Sequence, residues 1–220
     1  MARESFTQEL DQLRLQVEVT AARVGLALER MHEVLRTGDP ALAQEALDAD
    51  DQVDDMVVSL TERVYDLICR ESPMASDLRY LVSVVRVLEE LERIADLSLR
   101  VVKQAPEQAR LASHPAVFES LDGMASAASA LFRMALDAWS ARDPAIAHDL
   151  VRRDSAMDDE YRVLLDRTLA LSGDDAVQVA IAAVLVGRAL ERIADHTVIV
   201  GERLQYLLTG DPAYLAAEVR

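Results

Sequence analysis

Apolar residues return every three or four positions along most of this chain. One stripe runs Leu81, Val84, Val85, Leu88, Leu91, Ala95, Leu99 and Val102, and another runs Val184, Gly187, Leu190, Ala194 and Val198. That period matches the turn of an α-helix and predicts helices with one buried face. Glycine and proline punctuate the pattern. A first helix is expected from about Phe6 to Arg36, stopped by Thr37-Gly38-Asp39-Pro40, where Gly38 suits a left-handed close, Asp39 an N-cap and Pro40 a first turn. A second is expected to reach about Arg70 and end at Glu71-Ser72-Pro73. A third spans about Ala75 to Gln104, with Pro106 and His114-Pro115 marking a linker. A fourth follows over Ala116 to Ala141, a fifth from Arg142-Asp143-Pro144 to Leu171, and a sixth from Asp175 to Thr209.

Each half therefore reads helix, Asp-Pro break, helix, short break, helix. Residue matches make this an internal repeat. Gly38-Asp39-Pro40-Ala41-Leu42-Ala43 aligns with Arg142-Asp143-Pro144-Ala145-Ile146-Ala147 at an offset of 104, and Asp50, Asp54 and Asp55 align with Asp154, Asp158 and Asp159 at the same offset. Leu91-Glu92-Arg93-Ile94-Ala95-Asp96 recurs unchanged at Leu190-Glu191-Arg192-Ile193-Ala194-Asp195, at an offset of 99. The difference is absorbed in the turn near Ser72-Pro73 or Gly173. Two copies of three helices predict an all-α fold of two tandem, pseudo-symmetric three-helix bundles, with six long antiparallel helices. The repeats fall at residues 1–110 and 111–220. Helices of roughly 30 residues are about 45 Å long. They are too long for one globule of crossing helices and suit two bundles lying end to end or side by side.

Composition narrows the function. The chain carries 39 acidic and 23 basic residues, a formal charge of −16, yet is 51% hydrophobic. That is too apolar for a disordered chain and too negative for a nucleic-acid partner, which needs clustered Lys and Arg. Met1 to Phe6 carries no apolar signal core, and the longest clean apolar run, Val179 to Val186, is far shorter than the roughly 18–20 residues that cross a bilayer. A soluble, cytoplasmic protein without membrane insertion is expected. Cys69 is the sole cysteine, which excludes an intramolecular disulfide and a cysteine zinc cluster; near a helix end it reads as a buried small apolar residue.

The acids are not scattered. Glu92 with Asp96, Glu191 with Asp195, Asp50 with Asp54, and Asp154 with Asp158 are all spaced i, i+4, so each pair shares a helix face. Two like charges at that spacing cost an isolated helix roughly 0.2–0.5 kcal/mol, and more at the edge of a buried seam. If the second and fifth helices face the repeated hexapeptide, each bundle gathers four carboxylates. Hard oxygen donors on facing helices are one way to hold divalent or trivalent metal ions. Ordinary solvated acidic faces give the same spacing, and Arg93 and Arg192 are placed to form local ion pairs, so both readings stay open on spacing alone. A ferritin-like di-iron site wants two Glu-x-x-His units, and only Glu29-Arg30-Met31-His32 is present. No phosphate-binding glycine loop, dinucleotide fingerprint or nucleophile elbow occurs, so no enzyme is expected. Trp139 and Met31, Met56, Met124, Met134 and Met157 read as core or interface filler, and Arg79 as a bridge to a neighbouring helix.

The duplicated layout, Pro73-Met74-Ala75-Ser76-Asp77-Leu78-Arg79 and the two Glu-Arg-Ile-Ala-Asp segments resemble the PhoU family over nearly the whole chain. The second segment continues Asp195-His196, as that family's motif often does; the first reads Asp96-Leu97. The resemblance implies two symmetric three-helix bundles whose carboxylates hold multinuclear metal clusters. One site would use Asp50, Asp54, Glu92 and Asp96; the other would use Asp154, Asp158, Glu191 and Asp195. Asp55, Asp159 and His196 are further candidates. Iron or zinc, or else magnesium or manganese, are the implied ions. The family role implied is a negative regulator of phosphate uptake and phosphate-starvation signalling. Such a regulator is a homodimeric adaptor between the ATPase of a phosphate ABC transporter and a PhoR-type sensor histidine kinase. A carboxylate bundle that stores or senses metal without that role is the alternative.

Overall fold

The computed structural model describes residues 2–219, and the side chains of residues 2, 3, 151, 152, 154 and 216–219 lie outside the described set. Eight α-helices follow one another: α1 (Ala2–Thr37), α2 (Pro40–Asp48), α3 (Asp50–Glu71), α4 (Ser76–Val102), α5 (Gln108–Ala112), α6 (Pro115–Ala141), α7 (Pro144–Leu169) and α8 (Ala176–Thr209). Short 3₁₀ turns cover Ala105–Glu107 and Pro212–Val219, and no strand occurs among the described residues.

The punctuation residues act as expected. Gly38 takes φ +66 after α1 and Gly210 takes φ +73 after α8, the left-handed close that a Cβ disfavours. The Asp39 carboxylate accepts from the backbone N–H of Ala41 at 2.8 Å and Leu42 at 3.4 Å, and Asp143 accepts from Ala145 N–H at 2.8 Å. Each Asp-Pro pair thus caps the helix it opens.

The second long helix is not continuous, which corrects the expectation of one run to Arg70. It breaks at Ala49, between α2 and α3. Asp48, Asp50 and Asp51 crowd this point, and aspartate is a poor helix former whose charges repel at close spacing. Breaking the helix places Asp50 and Asp51 in the first turn of α3, where the helix dipole favours acids. The aligned stretch of the second repeat reads Arg152-Arg153-Asp154, and α7 runs through it unbroken. The linker is also more ordered than a plain connection. It holds α5, and Gln108 Nε2 donates to Arg36 O at 2.7 Å, tying α5 to the end of α1.

Helices α1, α3 and α4 pack together, as do α6, α7 and α8, and the two sets lie side by side through α4 against α8 and α1 against α6. One continuous apolar core fills both sets and the seam between them. Leu28, Met31, Leu88 and Leu91 of the first set and Met124, Phe132, Leu164 and Leu190 of the second are almost wholly buried. Trp139 and Met157 are buried, and Met56 and Met134 are partly so. Cys69 is exposed, contrary to the buried reading. It stands two residues past the core residue Leu67, which turns it roughly 200° round the helix. No helix of the described residues is long and apolar enough to cross a membrane.

Candidate functional site

Two carboxylate sets sit where α3 meets α4 and where α7 meets α8. In each case the apolar stripe fixes the face. Leu91, Ile94 and Ala95 of α4 are buried, so Glu92 is left half-buried at the edge of the seam and Asp96 exposed beside it. Val53 anchors the start of α3 in the core and turns Asp50 and Asp54 toward the same edge. Asp50 also lines a cleft of about 350 Å³ between α1, the α2–α3 junction and α4.

The first set behaves as one electrostatic unit. Burial, then the charges of Asp54 and Asp96, hold the Asp50 carboxyl above the usual range. Burial, then Asp96, raises Asp54. Burial, then Asp96 and Asp54, raises Glu92, while Arg93 pulls it down. Lys103 is a weak opposing charge on Asp50. These four acids therefore feel one another across the helix pair, as like charges in a half-dry site must.

The second set is tighter. One carboxylate oxygen from each of Asp158, Glu191 and Asp195 lies within 4.8 Å of the others. No three of the first set come that close among the described residues. Glu191 is 9% exposed. Burial and Asp195 raise its pKa, and Arg188 opposes them. Burial and then Asp158 raise Asp195, with Arg188, His196 and Arg192 opposing. The side chain of Asp154, the fourth expected member, lies outside the described residues.

Two oxygens on one cation at 2.0–2.6 Å stand at most about 4–5 Å apart, so the separation in the second set fits a shared hard cation. A cation would also offset the repulsion that raises these carboxyls. Glu191 already has a partner, however. Arg188 Nη1 donates to both of its carboxylate oxygens. The aligned residue of the first repeat is Glu89, which pairs with Arg86 at 2.6 Å instead. The second set thus holds an arginine hydrogen-bonded to one of its carboxylates, whereas the first has only the longer-range charges of Arg93 and Lys103. Sequence reading missed Arg188, although its i, i+3 spacing to Glu191 was the available signal.

His196 does not join the carboxylates. Its Nδ1 lies 2.6 Å from Oε2 of Glu90 on α4, so the imidazole donates across the seam between the two sets. Asp55 and Asp159 are exposed, and Asp159 is paired with Arg162. Arg79 does reach a neighbouring helix, with Nη1 lying against Gly210 at the end of α8.

Known proteins share this fold. The PhoU domain matches the chain twice, over residues 17–105 and 121–204. A phosphate-specific transport system accessory protein PhoU homolog from Pseudomonas aeruginosa is 27% identical over 209 residues, covering 94% of this chain and 86% of that protein. PhoU homolog 1 of Mycobacterium tuberculosis is 29% identical over 206 residues, covering 93% of each. The crystal structure of PhoU from Pseudomonas aeruginosa superposes with a TM-score of 0.89 at 26% identity, over 94% of this chain and all of that one. That of the phosphate transport system regulatory protein PhoU from Streptococcus pneumoniae gives 0.85 at 22% identity, a likeness of fold, over 94% and 98%. These folds are two tandem three-helix bundles. With two PhoU domains filling most of its length, this chain belongs to the PhoU family.

Proposed function

We propose that this chain is a non-enzymatic regulator that restrains phosphate uptake and phosphate-starvation signalling. In this reading it is an adaptor between the ATPase of a phosphate ABC transporter and a PhoR-type histidine kinase in the cytoplasm. The observation that carries this reading is the match to phosphate-transport accessory proteins over 93–94% of the chain. An exposed apolar stripe on α8, Val177, Ile181 and Leu185, supports a protein that works by contact. The carboxylate sets are its metal sites in this proposal: Asp50, Asp54, Glu92 and Asp96 in the first, and Asp154, Asp158, Glu191 and Asp195 in the second. All-oxygen donors suit magnesium or manganese, and iron or zinc are admitted by the same set. The family assembles, on this reading, as homodimers.

The test is a strain lacking the protein. Phosphate uptake and a starvation-response reporter should rise in phosphate-replete medium, and affinity capture of the tagged protein should recover the transporter ATPase and the kinase. Unchanged uptake and reporter in that strain would sink the regulatory reading. The carboxylate cluster of α7 and α8 favours one second reading, a metal-storing or metal-sensing bundle. Replacing Glu92, Asp96, Glu191 and Asp195 by their amides separates the two. Loss of bound metal with regulation intact leaves regulation independent of metal; loss of both joins them.

A further inference from the structure

A second cleft, of about 350 Å³, opens at the far end of the seam, where α1, α4, the α6–α7 junction and the end of α8 meet. Its walls come from both repeats. Three arginines line it: Arg14 from α1, Arg79 from α4 and Arg142 from the turn before α7. Against them stands one carboxylate, Asp77, an excess of two positive charges in a chain whose formal charge is −16. With acids outnumbering bases so heavily, arginines without partners are unexpected. Yet Arg79 and Arg142 form no ion pair among the described residues, and Arg14 has only a distant one, 3.9 Å to Asp11. The Nε of Arg79 is buried with no hydrogen-bond partner.

Two of the three arginines are also seated against neighbouring groups. Arg14 lies over the Tyr80 ring, 5.8 Å from its centroid. Arg79 is seated by Gly210, where a Cβ would come within 2.3 Å of Nη1. Arg142 is exposed at the rim, on a left-handed backbone position, φ +52, at the close of α6. Planar guanidinium forks on three different elements match a tetrahedral oxyanion, which each can grip with paired N–H donors.

Asp77 narrows the choice. A lone carboxylate beside an anion repels it unless the anion brings a proton for the carboxylate to accept. Inorganic phosphate keeps at least one proton near pH 7. Sulfate has none, and a phosphomonoester, with a second pKa of about 6, is mostly the bare dianion. We propose that this cleft binds inorganic phosphate, with Arg14, Arg79 and Arg142 holding its oxygens and Asp77 accepting its proton. The site deepens the phosphate-regulatory reading but rests on the cleft alone. It is read on purified protein, whereas that reading is tested in cells.

The experiment is isothermal titration of the full chain near pH 7 at low salt, after chelation of metal ions so that the carboxylate sets contribute nothing. Inorganic phosphate, sulfate and adenosine monophosphate are titrated in separate arms. Phosphate should bind saturably, and the other two should bind about tenfold more weakly or worse. Arg142→Asn, whose side chain tolerates the left-handed backbone, and Arg79→Gln should each weaken phosphate binding about tenfold. Asp77→Asn should shrink the preference over sulfate. Arg133→Gln, far from the cleft, should change nothing. Should Arg79→Gln fail to fold by circular dichroism, the exposed Arg142 carries the test. The absence of saturable phosphate binding overturns the proposal. So does undiminished binding in folded Arg142→Asn, or sulfate or the nucleotide binding as tightly as phosphate.

Discussion

At the scale of single residues the two repeats differ in chemistry at one pseudo-equivalent contact. Glu90 and His196 meet across the seam at 2.6 Å, both largely buried. Shifting each by the repeat offset of 99 gives Ala189 and Leu97, an apolar pair lining a groove between the same two helices. The same crossing of α4 and α8 is thus closed by a polar pair on one side and an apolar pair on the other. Buried pairs are costly to break on one side and cheap to replace as a whole. His196→Leu alone removes the hydrogen-bonded partner of Glu90 and leaves it only the longer-range charge of the buried Arg203, so it should lower stability by about 3 kcal/mol in urea unfolding. Glu90→Ala with His196→Leu, which copies the other side, should recover most of that loss. A neutral His196→Leu would show that Arg203 alone is enough to hold the Glu90 carboxylate. No single-sequence signal announced this contact. The two residues are 106 positions apart and meet only once the register of α4 on α8 is set.

At the scale of elements, α7 lies closer to α8 than a side chain would allow. A Cβ on Gly187 would come 2.3 Å from Cδ2 of Leu164 and 3.1 Å from the Tyr161 ring, and one on Gly201 would come 2.6 Å from Cδ1 of Leu150. The aligned residues of α4 are Leu88 and Val102, both buried. Alanine is worth about 1 kcal/mol over glycine inside a helix, while overpacking a filled core costs about 1–3 kcal/mol. Leu164 is fully buried and has little room to yield. Gly187→Ala should therefore destabilise the chain by about 1 kcal/mol on balance, seen as a lower urea midpoint with unchanged slope. Gly187→Leu, copying the first repeat, should destabilise it further. Helix ends were legible because Asp39, Asp143 and Gly210 act locally. The break at Ala49 was not, since its apolar period continues through the cluster of aspartates. Pairing of carboxylates along a helix was equally legible from i, i+4 spacing. Their gathering across α7 and α8 depended on how closely glycine lets those helices approach.

At the scale of the whole molecule, the charge of −16 is concentrated in part at two helix seams, and that makes stability depend on pH and cations in a definite sense. Asp50, Asp54, Glu92, Glu191 and Asp195 all have folded-state pKa values raised by burial and by one another. A raised folded pKa means the native state binds more protons than the unfolded chain between the ordinary carboxylate range and the raised value. Stability therefore falls as pH rises through that window, and the penalty is fully present above it. The metal-free chain should accordingly gain stability as pH drops from neutrality into the raised range, in contrast to a protein whose acids are held by ion pairs. A cation bound by the deprotonated carboxylates acts in the opposite direction, since protons compete with it. Adding manganese or magnesium should raise the urea midpoint near pH 7 and flatten or reverse the pH slope. Glu92→Gln with Glu191→Gln should raise metal-free stability near pH 7 and remove most of the response to metal, because it deletes one desolvated charge from each set, half-buried at Glu92 and buried at Glu191. Urea midpoints measured across pH, with and without the cation, check all three outcomes together. A metal-free midpoint that falls steadily on mild acidification would contradict the repulsion read at both seams.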